Sequence, residues 1–143
     1  MQPFSLPTSP AGGQSGEPSV LLVDDDEDDL FFIHQAFAET GRAGTVSSAT
    51  DGEDCLRYLS EAVLLPQLIL LDLNMPRLNG FEVLKTLREV PAWQGLTVVI
   101  LSTGCDAPTQ RLARSLGASD CLSKPNSSAD YRSLVHSLYQ RYL

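Results

Sequence analysis

The stretch "SVLLVDDDEDDLFFIHQAF", residues 19–37, decides how this chain reads. A mostly apolar run meets six consecutive acids, Asp24 to Asp29, and the chain then turns apolar again. Two like unit charges 4 Å apart repel by about 4 kcal/mol at an effective dielectric of 20, so a folded chain does not gather six without cause. Acidic runs are ordinarily solvated tails, yet this one is bracketed by core-forming sequence. The run 19–23 lacks polar alternation, as a strand buried on both faces does. Behind the acids, Leu30, Ile33, His34 and Phe37 fall at i, i+3, i+4 and i+7, one face of a helix. The acids therefore stand at a strand-to-helix corner. Asp26 to Asp29 suit the first helical turn, where each negative charge is favoured by roughly 0.3–1 kcal/mol. Asp24 and Asp25 close the strand.

The same alternation continues outward from that corner. Apolar runs at 68–71 ("LILL") and 97–101 ("TVVIL") predict two more buried strands, and 44–48 ("GTVSS") and 120–123 ("DCLS") two weaker ones. Between them, Gly80, Val83, Leu84 and Leu87 trace a helical face, as do Tyr131, Leu134, Val135 and Leu138. Leu56, Leu59 and Val63 mark a shorter stripe, and Leu112 with Leu116 a minimal one. Asp26 or Glu27, Asp51, Asn79, Asp106 and Ser127 suit helix starts. Five strand–helix units with right-handed crossovers give an α/β fold, a doubly wound five-stranded parallel sheet with five helices. Such sheets bind ligands outside the carboxyl ends of their strands.

Length and composition agree. A chain of 143 residues suits one domain with its own core. Residues 1–18, with four prolines and three glycines, read as a flexible N-terminal tail, and residues 19–143 as the folded domain. The net charge of −8 disfavours nucleic acid and anionic membrane, both of which need basic patches. No apolar run is long enough to span a bilayer and no signal peptide is visible, so a cytoplasmic location is expected. Cys55, Cys105 and Cys121 fit no zinc or redox spacing and read as inert thiols in a reducing compartment.

The strand ends then collect chemistry at one edge of the sheet. Asp24 and Asp25 follow the first strand, Asp72 the third, Ser102 and Thr103 the fourth, and Lys124 the fifth. Several carboxylates share a small site only when a cation sits among them, and Mg²⁺ is held by carboxylates, water and phosphate oxygens. A carboxylate such as Asp72 can act as a nucleophile and form an aspartyl phosphate. Lys124 and the metal would neutralise the transferring phosphoryl group, and Ser102 would donate a hydrogen bond to it.

The pieces "VLLVDDDEDD", "LILLDLNMPRLNGFEVLKTLR", "VVILST" and "GASDCLSKP" together resemble the receiver domain of bacterial two-component response regulators. The resemblance covers residues 19–143, and Asp72, Ser102 and Lys124 fall at that family's intervals. It implies a flavodoxin-like sheet of strand order 2-1-3-4-5. It also implies a phosphoacceptor signalling protein rather than a conventional enzyme, catalysing only its own phosphotransfer and dephosphorylation. Asp72 matches the phosphoacceptor, Lys124 the phosphate-pairing lysine and Ser102 the switch hydroxyl. Asp25 and Asp72 match direct Mg²⁺ ligands, Asp24 one acting through water, and Asn74 the residue whose backbone carbonyl joins the metal shell. A sensor histidine kinase would be the donor. Phosphorylation would shift a bistable surface at the face of helix 4, strand 5 and helix 5, with output through an unidentified downstream protein, a homodimer or a phosphorelay. "VDDDEDDLFFIHQAF" and "LDLNMPRLNGFEVL" resemble stand-alone receivers paired with bacterial phytochrome kinases. Cys121 stands where many receivers carry an aromatic residue, three before the lysine.

Other readings account for less. An EF-hand would need Gly where Asp29 stands and Glu where Gln35 stands. A phosphatase of the haloacid dehalogenase type would need an Asp two residues after Asp72, where Asn74 stands. A degenerate receiver acting only as a binding module would have no use for an intact acidic cluster. Asp26 to Asp29 are expected to serve only as first-turn acids, His34 and His136 to pack or face solvent, and Trp93 to anchor a loop.

Overall fold

A computed structural model describes residues 19–42 and 44–143. The expected tail, residues 1–18, lies outside the described residues. Five strands alternate with five α-helices: β1 Ser19–Val23, α1 Glu27–Glu39, β2 Thr45–Ala49, α2 Gly52–Glu61, β3 Leu68–Leu71, α3 Gly80–Glu89, β4 Val98–Ser102, α4 Ala107–Ser115, β5 Asp120–Ser123 and α5 Ser128–Tyr142. A 3₁₀ turn, Pro91–Trp93, precedes β4. The strands pair in parallel in the order β2-β1-β3-β4-β5. This is the expected flavodoxin-like sheet.

The unbroken apolar runs are explained by what covers them. Alternate side chains of β1, β3 and β4 face opposite ways, and both ways are core. Leu21, Val23, Ile69, Leu71, Val98 and Ile100 pack with Cys55 and Leu59 of α2, Val83, Leu84 and Leu87 of α3, and Ala113 of α4. Val20, Leu22, Leu68, Leu70, Val99 and Leu101 pack on the other face with Ile33 and Phe37 of α1 and Val135 and Leu138 of α5. The helices start where side-chain oxygens can take orphan amides: Asp26, Asp51, Asn79, Asp106 and Ser127 each cap one. Asn79 and Glu82 form a reciprocal capping box at α3.

Four details differ from the sequence reading. β2 and β4 each lie one residue later than expected, at 45–49 and 98–102. In β4 the shift follows from pairing: Ser102 is in register with Ser123, and its carbonyl accepts the Lys124 amide at 2.9 Å. Val63 is 97% exposed because α2 ends at Glu61, and Cys55 takes its place on the buried face. Leu112 of α4 is also exposed, and the small Ala113 makes the contact with the sheet. Trp93 does anchor its loop, half-buried against the α3 side of the core.

Candidate functional site

The carboxyl ends of β1, β3, β4 and β5 bring Asp24, Asp25, Asp72, Ser102 and Lys124 to one edge. The sheet ladder continues just past the strand ends and fixes two of them: the Asp24 amide donates to the Ala49 carbonyl at 3.1 Å and the Asp72 amide to the Val23 carbonyl at 2.9 Å. Both side chains are buried, Asp24 3% and Asp72 5% exposed, while Asp25 faces solvent. One carboxylate oxygen from each of Asp24, Asp25 and Asp72 lies within 4.8 Å of the others.

The loop after Asp72 depends on a close approach. The Gly80 amide donates to the Leu73 carbonyl at 3.0 Å, which folds the start of α3 back onto the end of β3. A Cβ on Gly80 would collide with the Asp72 carbonyl oxygen and sit 2.9 Å from the Leu73 Cα. Within the same loop Arg77 adopts φ 66°, sparsely populated by non-glycine residues. Its guanidinium donates to Asp51 Oδ2 at 2.6 Å and Glu53 Oε1 at 3.1 Å, tying the loop to the start of α2.

Among the described residues, Lys124 is the one cation beside these acids. Its Nζ lies 2.7 Å from Asp29 Oδ2, 2.9 Å from Asp24 Oδ2 and 3.6 Å from Asp72 Oδ2. Burial works against its charge, but hydrogen bonds to Asp29 and Asp24 more than offset that and raise its pKa. Asp29 was expected to be a mere first-turn acid. Instead it is half-buried and also accepts the Tyr131 hydroxyl at 3.2 Å. Burial, then the Asp29 charge, push that phenol up to about 12. Only the fold brings Asp29 to Lys124, 95 positions away in sequence.

Asp72 is the less satisfied of the two buried carboxylates at this edge. Among the described residues its side chain accepts one hydrogen bond, from the Asn74 amide at 3.4 Å. Burial, then the charge of Asp24, push its pKa up to about 6, against the pull of Lys124 and the Asn74 amide. Burial also raises Asp24, opposed by the Asp26 amide at 2.9 Å and by Lys124. A buried carboxylate with so few donors, flanked by two more, has the donor set of a site for a hard divalent cation. Asn74 stands exposed in the same loop. Ser102 is buried at the end of β4, where its Oγ accepts the Gly104 amide at 3.4 Å. His34 and His136 lie away from this edge, half-buried and exposed.

Comparisons with known proteins agree with this geometry. The family described as response regulator receiver domain matches residues 20–136. Protein RcaC of Microchaete diplosiphon is 36% identical over 106 residues, a match covering 74% of this chain and 16% of RcaC. This chain thus spans a small part of that relative. The response regulator RPA3017, of red light signalling in R. palustris, is 32% identical, with a TM-score of 0.80 over 88% of this chain and 94% of its own. The phosphorylated cyanobacterial phytochrome response regulator RcpA is 26% identical, with a TM-score of 0.80 over 89% of this chain and 94% of its own. No helix among the described residues is long and apolar enough to cross a membrane. With a matching sheet, an acidic edge facing one lysine, and a family match over most of its length, this chain belongs to the response regulator receiver domains.

Proposed function

We propose that this chain is a phosphorylation switch that accepts a phosphoryl group on Asp72 from a sensor histidine kinase. The observation that carries the reading is the buried Asp72 carboxylate, 3.6 Å from Lys124 and within reach of two further carboxylates. A carboxyl group pushed up to about 6 is mostly ionised near neutral pH, so Asp72 is available as a nucleophile. Its oxygen attacks the phosphorus of a phosphohistidine, the P–N bond breaks, and the imidazole leaves with the bonding pair. Lys124 Nζ, already held beside Asp72 by Asp24 and Asp29, faces the charge delivered there. Ser102 offers a hydroxyl from the neighbouring strand end. Asp24, Asp25 and Asp72, with the Asn74 carbonyl, would hold Mg²⁺, Asp24 through water. Bound there, the ion supplies neutralisation of the phosphoryl oxygens.

The likeness to RPA3017 and RcpA supports a kinase of the phytochrome type as donor. Output would pass through protein–protein contacts, a homodimer or onward phosphotransfer. The acidic surface, net −8, argues against nucleic acid as a direct partner. A cytoplasmic location fits a kinase-coupled switch. Phosphotransfer profiling tests the reading. The chain, Asp72→Asn and Asp25→Ala are incubated with autophosphorylated histidine kinases, with Mg²⁺ or with a chelator. Rapid labelling should require Mg²⁺ and Asp72 and should fall steeply in Asp25→Ala. Label that persists in Asp72→Asn would remove Asp72 from its assigned role.

A further inference from the structure

Two of the three cysteines, apparently unrelated in sequence, meet in the fold. Cys105 lies in the loop between β4 and α4, next to the Asp106 cap, and Cys121 lies on β5. Their sulfurs are 2.8 Å apart, and Cys105 Sγ also lies 3.2 Å from the Leu122 carbonyl oxygen. The loop is held in place: Gln110 Nε2 of α4 donates to the Cys105 carbonyl at 3.1 Å. A covalent S–S bond is about 2.05 Å long, so bonding needs the sulfurs to close by less than about 1 Å. Exposure is asymmetric. Cys121 is 2% exposed and faces the core, whereas Cys105 is half-buried and reachable from solvent. Cys55 supplies an internal contrast, since it is fully buried and no sulfur partner lies beside it among the described residues.

We infer that Cys105 and Cys121 are a reversible dithiol–disulfide pair, a redox latch between the β4–α4 loop and β5. The co-reactant is hydrogen peroxide. The Cys105 sulfur attacks one peroxide oxygen, the O–O bond breaks, and a sulfenic acid and water form. The Cys121 sulfur then displaces the hydroxyl group as a second water, so two thiols are oxidised by two electrons and one peroxide is reduced. Burial, with Cys105 alongside, pushes the Cys121 thiol up to about 12, which leaves the more exposed Cys105 to meet the peroxide, and the 2.8 Å contact then presents Cys121 to the sulfenic acid.

The latch would reach the acidic edge through the backbone. Cys105 stands three residues after Ser102, Cys121 stands three before Lys124, and the Ser102 carbonyl accepts the Lys124 amide. Oxidation therefore staples together the two strand ends that present the hydroxyl and the ammonium. Its effect on phosphorylation rests on the function proposed above, whereas formation of the bond does not.

The test uses the full chain. Reduced protein is treated with hydrogen peroxide, and intact mass and peptide maps are recorded. The expected product has lost two hydrogens, carries a Cys105–Cys121 cross-link, and reverts with dithiothreitol. Cys55→Ser should keep the cross-link, and Cys105→Ser and Cys121→Ser should lose it. Maleimide labelling of Cys105 in the wild-type chain, lost on oxidation and regained on reduction, reads the same event without a variant. Labelling by acetyl phosphate with Mg²⁺ should slow several-fold in the oxidised chain and recover on reduction. Addition of oxygen to Cys105 without cross-linking, or a bond through Cys55, overturns the inference, and equal acetyl phosphate labelling of the oxidised and reduced chains overturns the coupling of the latch to the acidic edge. A cross-link that forms in a chain that acetyl phosphate never labels would overturn the phosphoacceptor reading instead and leave the dithiol pair standing.

Discussion

Replacing Asp72 by Asn should stabilise the metal-free protein, although it removes the proposed reactive group. Asp72 has its pKa pushed from 3.8 to about 6, first by burial and then by the charge of Asp24. At 1.36 kcal/mol per unit, ionising it in the folded state costs about 3 kcal/mol more than in the unfolded chain. That figure already contains the attraction of Lys124 and the Asn74 amide, because both act on the same net shift. The sign follows from proton binding. Between pH 4 and 6 the native state keeps a proton that the unfolded state has released, so stability falls as pH rises through this window. Asn has no such transition. Urea unfolding in chelator, followed by Trp93 fluorescence, should therefore give similar stabilities for the two proteins near pH 4. Near pH 7.5 the variant should be more stable by up to about 3 kcal/mol. Adding Mg²⁺ should narrow the gap by stabilising the wild type, since a ligand that binds only the native state adds RT ln(1 + [L]/Kd). Equal stabilities in chelator at pH 7.5, or a gap that does not change between pH 4 and 7.5, would refute the claim that burial and Asp24 strain this carboxylate.

Two further outcomes are expected. Asp29→Asn should weaken the hold on Lys124 and on the Tyr131 hydroxyl, costing about 1.5–3 kcal/mol in urea unfolding. It should also slow labelling by acetyl phosphate, while the exposed Asp28→Asn changes neither. Gly80→Ala should cost about 1–3 kcal/mol because the new methyl meets the Asp72 carbonyl. A matching loss of Mg²⁺ affinity in Gly80→Ala, read by fluorescence titration, would show that the start of α3 sets the position of Asp72.

The parts of the fold that could be read from sequence are those governed by short-range rules. Residues 20–23 of β1, 68–71 of β3 and 98–101 of β4 are unbroken apolar runs because both sheet faces are covered, and that pattern is visible one residue at a time. The five caps follow from a short polar side chain placed before an apolar periodicity. Where the rule weakens, so does the reading. Leu112 has the right spacing, but α4 packs through Ala113, which is too small to register as an apolar signal. Val63 has the right spacing too, but its helix has already ended. The site divides the same way. Asp24, Asp72, Ser102 and Lys124 mark strand ends, so topology alone gathers them. Asp29 and Lys124 lie 95 positions apart, and no local pattern links them. The Cys105–Cys121 contact and the pairing of buried Asp120 with Arg141 likewise join residues on different elements that no local pattern links. In each case the sequence displays the groups and the fold chooses the partners.

The acidic run illustrates what that choice does to energetics. Six acids in a row are tolerable because they do not act as one charge cluster. Asp24 points inward, accepting the Asp26 amide and lying 2.9 Å from Lys124. Asp26 caps α1, taking the amides of Asp28 and Asp29. Asp25, Glu27 and Asp28 face solvent, where screening leaves little repulsion. Asp29 turns back to the lysine. Lys124 thus neutralises two acids of the run from the far end of the chain, at 2.9 and 2.7 Å, while Asp72, at 3.6 Å and beyond hydrogen-bond length, stays only partly compensated. That imbalance leaves the buried edge short of positive charge at Asp72. A divalent cation at this edge would make up the deficit without any of the six acids having to move to a new partner.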